Sequence, residues 1–438
     1  MSEEQPNYPP NFIRRPPTAP IIIKRDGRVE PFDRAKMLAS MRSAGATPQQ
    51  ANQAANRIVT RLPPGVQVQS QQVQRMVTQS LREVNPTASR NYVASNEQKQ
   101  AYQNKVNQLS FQISSIDQQL NSMMSRIENL DNQIASLPGR ISKIRQAKYK
   151  FLTCLDNDQI NLAQEWNTIS PELKATANMK SQSIRQQSQV LQQKLQYKSG
   201  LTDYNQSNLL EIESGLNPLR STLSEIYSSI DAGIQPAEQK FEALNQDLTH
   251  VESTLSILQG ASFQWEENET PILAIKAKEL NNDQEGYLTI TNLKIVFEHL
   301  KEIALKKTLF IVTEKKIVRE VKVQKPIGMV TELSQGRVGL LKGSGLFIKF
   351  TQETGVPEMK FDTSSQDAEW VIKNYNYVMS GEAENELAAL TPKISVEKQS
   401  SAPQLIVCKK CGAPYTEKIY RGQTSLNCKY CDAVIYLD

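Results

Sequence analysis

Between Val106 and Leu258 the chain is too polar to fold as a globule, yet its apolar residues fall at heptad spacing. The first seam runs through Val106, Leu109, Ile113, Ile116, Leu120, Met123, Ile127, Leu130, Ile134, Leu137, Ile141 and Ile144. Steps of three and four alternate, which keeps one narrow apolar edge on a helix and leaves the intervening Gln, Asn and Ser in water. A coiled coil is expected over residues 100–260, assembling with itself as a homo-oligomer or pairing as a long hairpin. A second seam runs from Leu209 through Leu216, Leu223 and Ile230, slips near Gly233, and resumes from Phe241 to Leu258. The slip reads as a stutter, which unwinds a supercoil locally. Between the seams, Leu173, Ile184, Leu191 and Leu195 are sparser. Ser170-Pro171 reads as a helix start, with a capping hydroxyl before a residue whose missing N–H costs nothing there. Pro138-Gly139 reads either as a turn between antiparallel arms or as a kink, since the heptad phase carries across it.

The modules at the ends of this stretch must be small. A length of 438 residues allows two to four units at roughly 100 to 200 residues each. Aromatic content of 6% is too low for one large core. A net charge of +5 with interspersed signs gives no field like that of a dedicated nucleic-acid binder. No apolar run approaches the ~18 residues of a membrane span, and MSEEQPNYPPNF does not read as a signal peptide. A cytoplasmic protein is expected. Four of the five cysteines lie in two C-x-x-C pairs near the end, with Cys154 alone, which suits metal in a reducing compartment.

Residues 1–20 are proline-rich and read as a disordered arm. From Ile21 the sequence I-I-I-K-R-D-G-R-V-E-P-F-D-R-A-K makes a hairpin with Asp26-Gly27 at its turn, and Asp33 then caps a helix carrying Met37, Leu38 and Met41 inward. Thr47-Pro48-Gln49-Gln50 is a capping box for a second helix with Ala51, Ala54, Ala55, Ile58 and Leu62 on one face. A third helix opens after Ser70 and a fourth at Asn85-Pro86, giving a hairpin with four helices. No breaker separates Pro86 from the first heptad seam.

Over residues 21–99 this pattern, with K-R-D-G-R-x-E-P-F-D-x-x-K and the later Tyr92, resembles the ATP-cone, the regulatory nucleotide-binding module of many ribonucleotide reductases and of the zinc-ribbon repressor of reductase genes. Lys24 and Arg25 beside a turn, with Lys36 one helical turn in, are cations that can meet a polyphosphate. The resemblance implies that Lys24, Arg25 and Lys36 hold the phosphates of ATP or dATP. It further implies that Ile23 lies near the base and that Glu30 and Asp33 contact ribose or base.

After Gly260 the period becomes that of strands, seven or so, with Thr291-Asn292 as a hairpin turn. A helix from Ser365 to Met379 closes them, with Trp370, Val371, Tyr375 and Val378 inward. Over residues 268–380 this resembles the GRAM and pleckstrin-homology (PH) fold, G-Y-L-T-I-T-N-L-K-I-V-F being similar to the GRAM opening hairpin, and implies membrane-lipid or protein contact. Lys306, Lys307, Lys315 and Lys316 are candidates for anionic headgroups. Residues 381–406 read as a linker. Residues 407–438 then read as a zinc ribbon, in which Cys408, Cys411, Cys428 and Cys431 supply four thiolates to a structural zinc.

The expected fold is thus multidomain α+β: a small cone, a long helical coiled coil, a GRAM/PH-like β domain and a zinc ribbon. No nucleophile with its base, Walker motif or open metal position is apparent, and the two histidines, His250 and His299, lie on a coil and a strand. No enzyme is expected. The leading reading is a nucleotide-binding regulatory or scaffold protein whose other modules engage a protein partner. A DNA-binding regulator like the reductase repressor is the second reading, although that family's ribbon precedes its cone. A peripheral membrane scaffold is the third.

Overall fold

Three β-branched residues form β1 (Ile21–Ile23), and the chain turns back through Gly27, at φ +82°, into β2 (Val29–Pro31). The amide of Lys24 donates to the Arg28 carbonyl at 2.8 Å and closes the turn. The computed structural model describes residues 20–24, 27–62, 65–308, 311–338, 343–390 and 406–437, without the side chains of 304–308 and 311–315. Residues 1–19 of the expected arm (residues 1–20) lie outside the described residues, as do Arg25, Asp26 and residues 391–405 of the expected linker. The chain divides into two units, one of residues up to Met123 with Ala177–Ser228, the other of Met124–Thr176 with residues from Ser229 onward.

In the first unit the hairpin gains a strand that sequence reasoning missed. β3 (Gln67–Gln69) lies parallel to β1, giving the order β2-β1-β3 and burying Val68 against Ile22 in one core. Three of the four helix starts fall where a side-chain cap puts them. α1 (Arg34–Ser43) begins at Asp33, whose Oδ1 accepts the Lys36 amide at 3.0 Å. α2 (Pro48–Val59) begins with the Thr47–Gln50 capping box. α3 (Ser70–Val84) follows β3, and α4 (Pro86–Gln146) begins after Asn85, whose Oδ1 accepts the Ala88 amide at 2.9 Å. Met41, Ala51, Ala54, Ala55, Ile58, Val77 and Leu81 are wholly buried, and the alanines let α2 approach its neighbours closely.

The long helices are α4, α5 (Cys154–Ser199) and α6 (Leu210–Leu258). Within the first unit, Tyr102 donates to the Lys198 carbonyl at 2.8 Å and Arg185 to Asn121 at 2.6 Å, so α4 and α5 run antiparallel. Lys105 pairs with Glu213 at 2.6 Å and Tyr227 donates to the Gln119 carbonyl at 2.7 Å, so α4 and α6 run parallel. Within the second unit the same directions hold. Arg126 binds Glu238 and Asp231, Arg140 binds Glu252 and Asn245, and Asp131 accepts from Trp166 Nε1 at 2.6 Å and Ser170 Oγ at 2.8 Å.

Every residue of the first seam is buried, and so is α5 along Leu162, Trp166, Ser170, Leu173, Ala177, Ser181, Ile184, Ser188, Leu191 and Leu195. The sparse middle stretch is therefore a third packing helix. Within each unit the chain's own helices pack side by side along these seams. Pro138 is not the turn that was one of its two readings, and Pro171 is not the expected helix start. Pro138 and Pro171 both lie inside helices. Ser170 caps nothing; its hydroxyl goes to Asp131. The turn between α4 and α5 is at residues 147–153, held by Arg145 donating to the carbonyls of Tyr149, Phe151 and Leu152.

The second unit also holds seven antiparallel strands: β4 (Pro271–Glu279), β5 (Gln284–Thr291), β6 (Lys294–Thr308), β7 (Ile311–Pro326), β8 (Val330–Val338), β9 (Gly343–Phe350) and β10 (Met359–Asp362). Their order is β7-β6-β5-β4-β10-β9-β8, and α7 (Ser365–Met379) follows with Trp370, Val371 and Val378 buried. Tyr149 and Thr254 tie the long helices to β4 through hydrogen bonds to Ile272 and Ala274. Residues 382–390, expected as linker, form α8 (Glu382–Leu390). A two-stranded ribbon of β11 (Ser425–Asn427) and β12 (Val434–Tyr436) ends the fold. Among the described residues, no helix is long and apolar enough to cross a membrane.

Candidate functional site

Two places on the chain gather chemistry-bearing side chains. The first is a cavity of about 180 Å³ in the first unit, walled by β1, β2, α1, α3 and α4. The tight turn at Gly27 brings Lys24 and Glu30 side by side, and the Asp33 cap starts α1 so that Lys36 faces the same space. Lys24 Nζ lies 2.6 Å from Glu30 Oε1, and Lys36 Nζ lies 3.8 Å from the same oxygen. The hydrogen bond from Lys24 holds the Glu30 carboxyl below its ordinary range. One carboxylate thus stands between two ammonium groups.

Of the six residues expected from sequence, Lys24, Glu30, Asp33 and Lys36 line this cavity. Arg25 lies outside the described residues. Ile22 lines it where Ile23 was expected, and Ile22 is also the buried residue of the pair. Sequence reasoning missed Phe32, Ser40, Ser70, Val73 and Gln74, which complete the wall. Spacing could have found part of this set: Lys36 and Ser40 are four apart on α1, as Ser70 and Gln74 are on α3. Tyr92, only 8% exposed, closes the inner end, and burial raises the pKa of its phenol.

The second place is the ribbon. Cys408, Cys411, Cys428 and Cys431 have their sulfurs within 4.8 Å of one another. Two knuckles with the same local hydrogen bonds produce this. The Gly412 amide donates to the Cys408 carbonyl at 2.8 Å and the Asp432 amide to the Cys428 carbonyl at 2.9 Å, with Gly412 at φ +73° and Asp432 at φ +56°. Backbone amides of Cys411 and Lys410 point at the first sulfur and lower the Cys408 thiol to about 6. Four converging sulfurs with amide donors are a donor set that could hold a metal ion, and tetrahedral Cys₄ coordination suits zinc. Cys154 stands apart from this cluster.

The loop between the knuckles seats the ribbon on the sheet. The Gly328 amide donates to the Arg421 carbonyl at 3.0 Å, and Arg421 Nη1 donates to the Met379 carbonyl at 3.0 Å while its guanidinium pairs with Glu384. Gly422, at φ +81°, lies so close to Leu293 that a Cβ would come 1.8 Å from its carbonyl oxygen.

Compared with known families, residues 20–101 match the model of the ATP cone domain. No curated protein matches the chain.

Proposed function

We propose that the chain is a nucleotide-responsive regulatory protein that takes ATP or dATP in the cavity of Lys24, Glu30 and Lys36. One observation carries this: the ATP cone match spans every residue lining that cavity, and two ammonium groups and a carboxylate converge there. In this reading the ligand's phosphates displace Glu30 from between the lysines, which exchanges one anion for another without exposing unpaired charge. A nucleotide shifts the protein only as far as it binds one conformation better than another.

The other modules fit a protein that signals rather than catalyses. The ribbon's thiolates hold one structural zinc, all four positions being filled by protein. Seven antiparallel strands followed by one helix support the GRAM/PH-like reading of residues 268–380, with partner contact as its role. Of the four lysines considered for lipid, only Lys316 has a described side chain, so the membrane reading gains no support from them. A cytosolic setting accords with a cysteine cluster built for metal.

Titration calorimetry of the full chain against ATP and dATP tests the proposal. The wild type should bind in the micromolar range or tighter, and Lys24→Ala with Lys36→Ala should weaken binding at least tenfold. Equal binding by the variant would refute the cavity assignment.

A further inference from the structure

The first turn of α5 is capped from far along the chain. Its start reads T-C-L-D, Thr153 to Asp156, a pattern in which the acid three residues on folds back to the amide of the capping residue. Asp156 instead accepts from Arg145 Nε at 3.1 Å, and Glu386 Oε2 of α8 accepts the Thr153 amide at 3.1 Å. A carboxylate at this end of a helix also meets its dipole favourably. Glu384, two residues from Glu386 and therefore on another face of α8, pairs with Arg421 of the ribbon. Arg421 in turn donates to the carbonyl of Met379, the last residue of α7, and its own carbonyl accepts the Gly328 amide at 3.0 Å. α8 is thus tied on one face to the turn between α4 and α5 and on another to the loop between the knuckles. Gly381, at φ +90°, joins it to α7, and Ala383 is wholly buried.

We propose that α8 is a metal-dependent strap, through which the loaded ribbon holds the cap on α5. The proposal rests on the reading of the four cysteines as a zinc site. The ribbon's buried core consists of Leu426 and Ile435 with Cys408 and Cys428 themselves, so the module has little besides its metal to keep it closed. Once the metal leaves, the knuckles open, the loop that carries Arg421 and Gly422 comes off the sheet, and Glu384 loses its partner. α8 then pivots at Gly381, where the left-handed backbone is a joint that glycine adopts at no steric cost, and Glu386 withdraws from Thr153. Asp156 cannot take its place without giving up Arg145, which also holds the carbonyls of Tyr149, Phe151 and Leu152. Emptying the ribbon therefore loosens the turn between two of the long helices.

The test uses the full chain, with hydrogen exchange read by mass spectrometry and zinc counted by elemental analysis in the same samples. A chelator strong enough to empty the ribbon should raise amide exchange about tenfold in residues 151–156 and 382–390, while α2 and α3 stay as they were. Arg421→Gln should raise exchange in both segments with zinc retained, which separates the arginine tie from the loss of metal. Should that variant shed its zinc, Glu384→Gln makes the same cut from α8. Glu386→Ala should raise exchange at the α5 cap and leave the ribbon's zinc in place. A chelated chain that protects both segments as well as the loaded one overturns the strap and leaves the zinc reading standing. So does a zinc-loaded Arg421→Gln or Glu384→Gln chain with full protection. A chain that binds no zinc when purified and dialysed against it overturns the zinc reading and the metal dependence together.

Discussion

Glu30 carries the first residue-scale consequence. Its carboxyl is held below the ordinary glutamate value of 4.5, first by the Lys24 hydrogen bond and then by the charges of Lys24 and Lys36. Because the folded value is the depressed one, the pair's contribution is complete above the unfolded value and is lost as pH falls through the folded one. An NMR titration should therefore give Glu30 a midpoint below 4.5, moving back toward it in Lys24→Ala; a midpoint indifferent to Lys24 would mean that the pair does not form in solution. Gly422 gives a second test, since both its φ of +81° and the Leu293 carbonyl beside it exclude a side chain. Gly422→Ala should cost about 1–3 kcal/mol for the left-handed conformation alone. It should also raise amide exchange at Arg421–Gln423, and unchanged exchange would show that the loop is not seated there. Ile22 and Ile23 mark where residue-level reading stopped. Three consecutive isoleucines announce a strand, but nothing in them says which faces the cavity until β3 is known, and Q-V-Q at 67–69 carries too little apolar signal to announce β3.

At the scale of elements, caps were legible and interior prolines were not. Asp33, Thr47 and Asn85 each satisfy an amide of the first helical turn, a local interaction that sequence alone specifies. Pro171 looked like a helix start by the same logic, yet α5 begins at Cys154. A proline inside a helix costs about 3 kcal/mol, whereas burying one large apolar side chain such as Leu162 or Trp166 returns about 1.5–3 kcal/mol. Two such residues upstream of the proline outweigh it. The seam of α5 was hard to see because Ser170, Ala177, Ser181 and Ser188 occupy buried positions that an apolar count passes over. Asp131 compensates for part of that polarity by accepting from Trp166 and Ser170 and pairing with Lys174. Asp131→Ala should then lower stability by about 1–3 kcal/mol by leaving donors without a partner, read as a lower urea midpoint at unchanged slope. In the ribbon, the cysteine spacing was enough to foresee the cluster, because two knuckles bring their sulfurs together by local geometry. Cys428→Ser should reduce bound zinc, measured by elemental analysis, from one equivalent per chain to a trace after dialysis against a mild chelator.

For the whole molecule, the question the heptads raised was where the partner of each seam comes from. A heptad pattern states that an apolar edge must be covered and is silent on whether the cover is the same chain or another. Within each unit ion pairs join α4 and α6 of one chain: Lys105 with Glu213 in one, Arg126 with Glu238 and Arg140 with Glu252 in the other. Exposed pairs of this kind contribute little energy, about 0–1 kcal/mol each, but Arg126–Glu238 and Arg140–Glu252, both 112 residues apart, fix the register there. Gly233 shows the same fit from the apolar side, since a Cβ there would come 2.8 Å from Leu173 Cδ2, and the seam around it continues through Ile234 and Ala237. The stutter is thus the place where α6 makes room for α5. A fold closed within one chain unfolds at a midpoint independent of protein concentration, while a seam shared between copies makes the midpoint rise with concentration by mass action. Thermal unfolding over a hundredfold range of concentration should therefore leave the midpoint fixed. Replacing Ile116, which is 1% exposed, by Asp should lower that midpoint equally at every concentration, because the charge is buried within the chain. A midpoint that climbs with concentration in the wild type would return the seams to an intermolecular role.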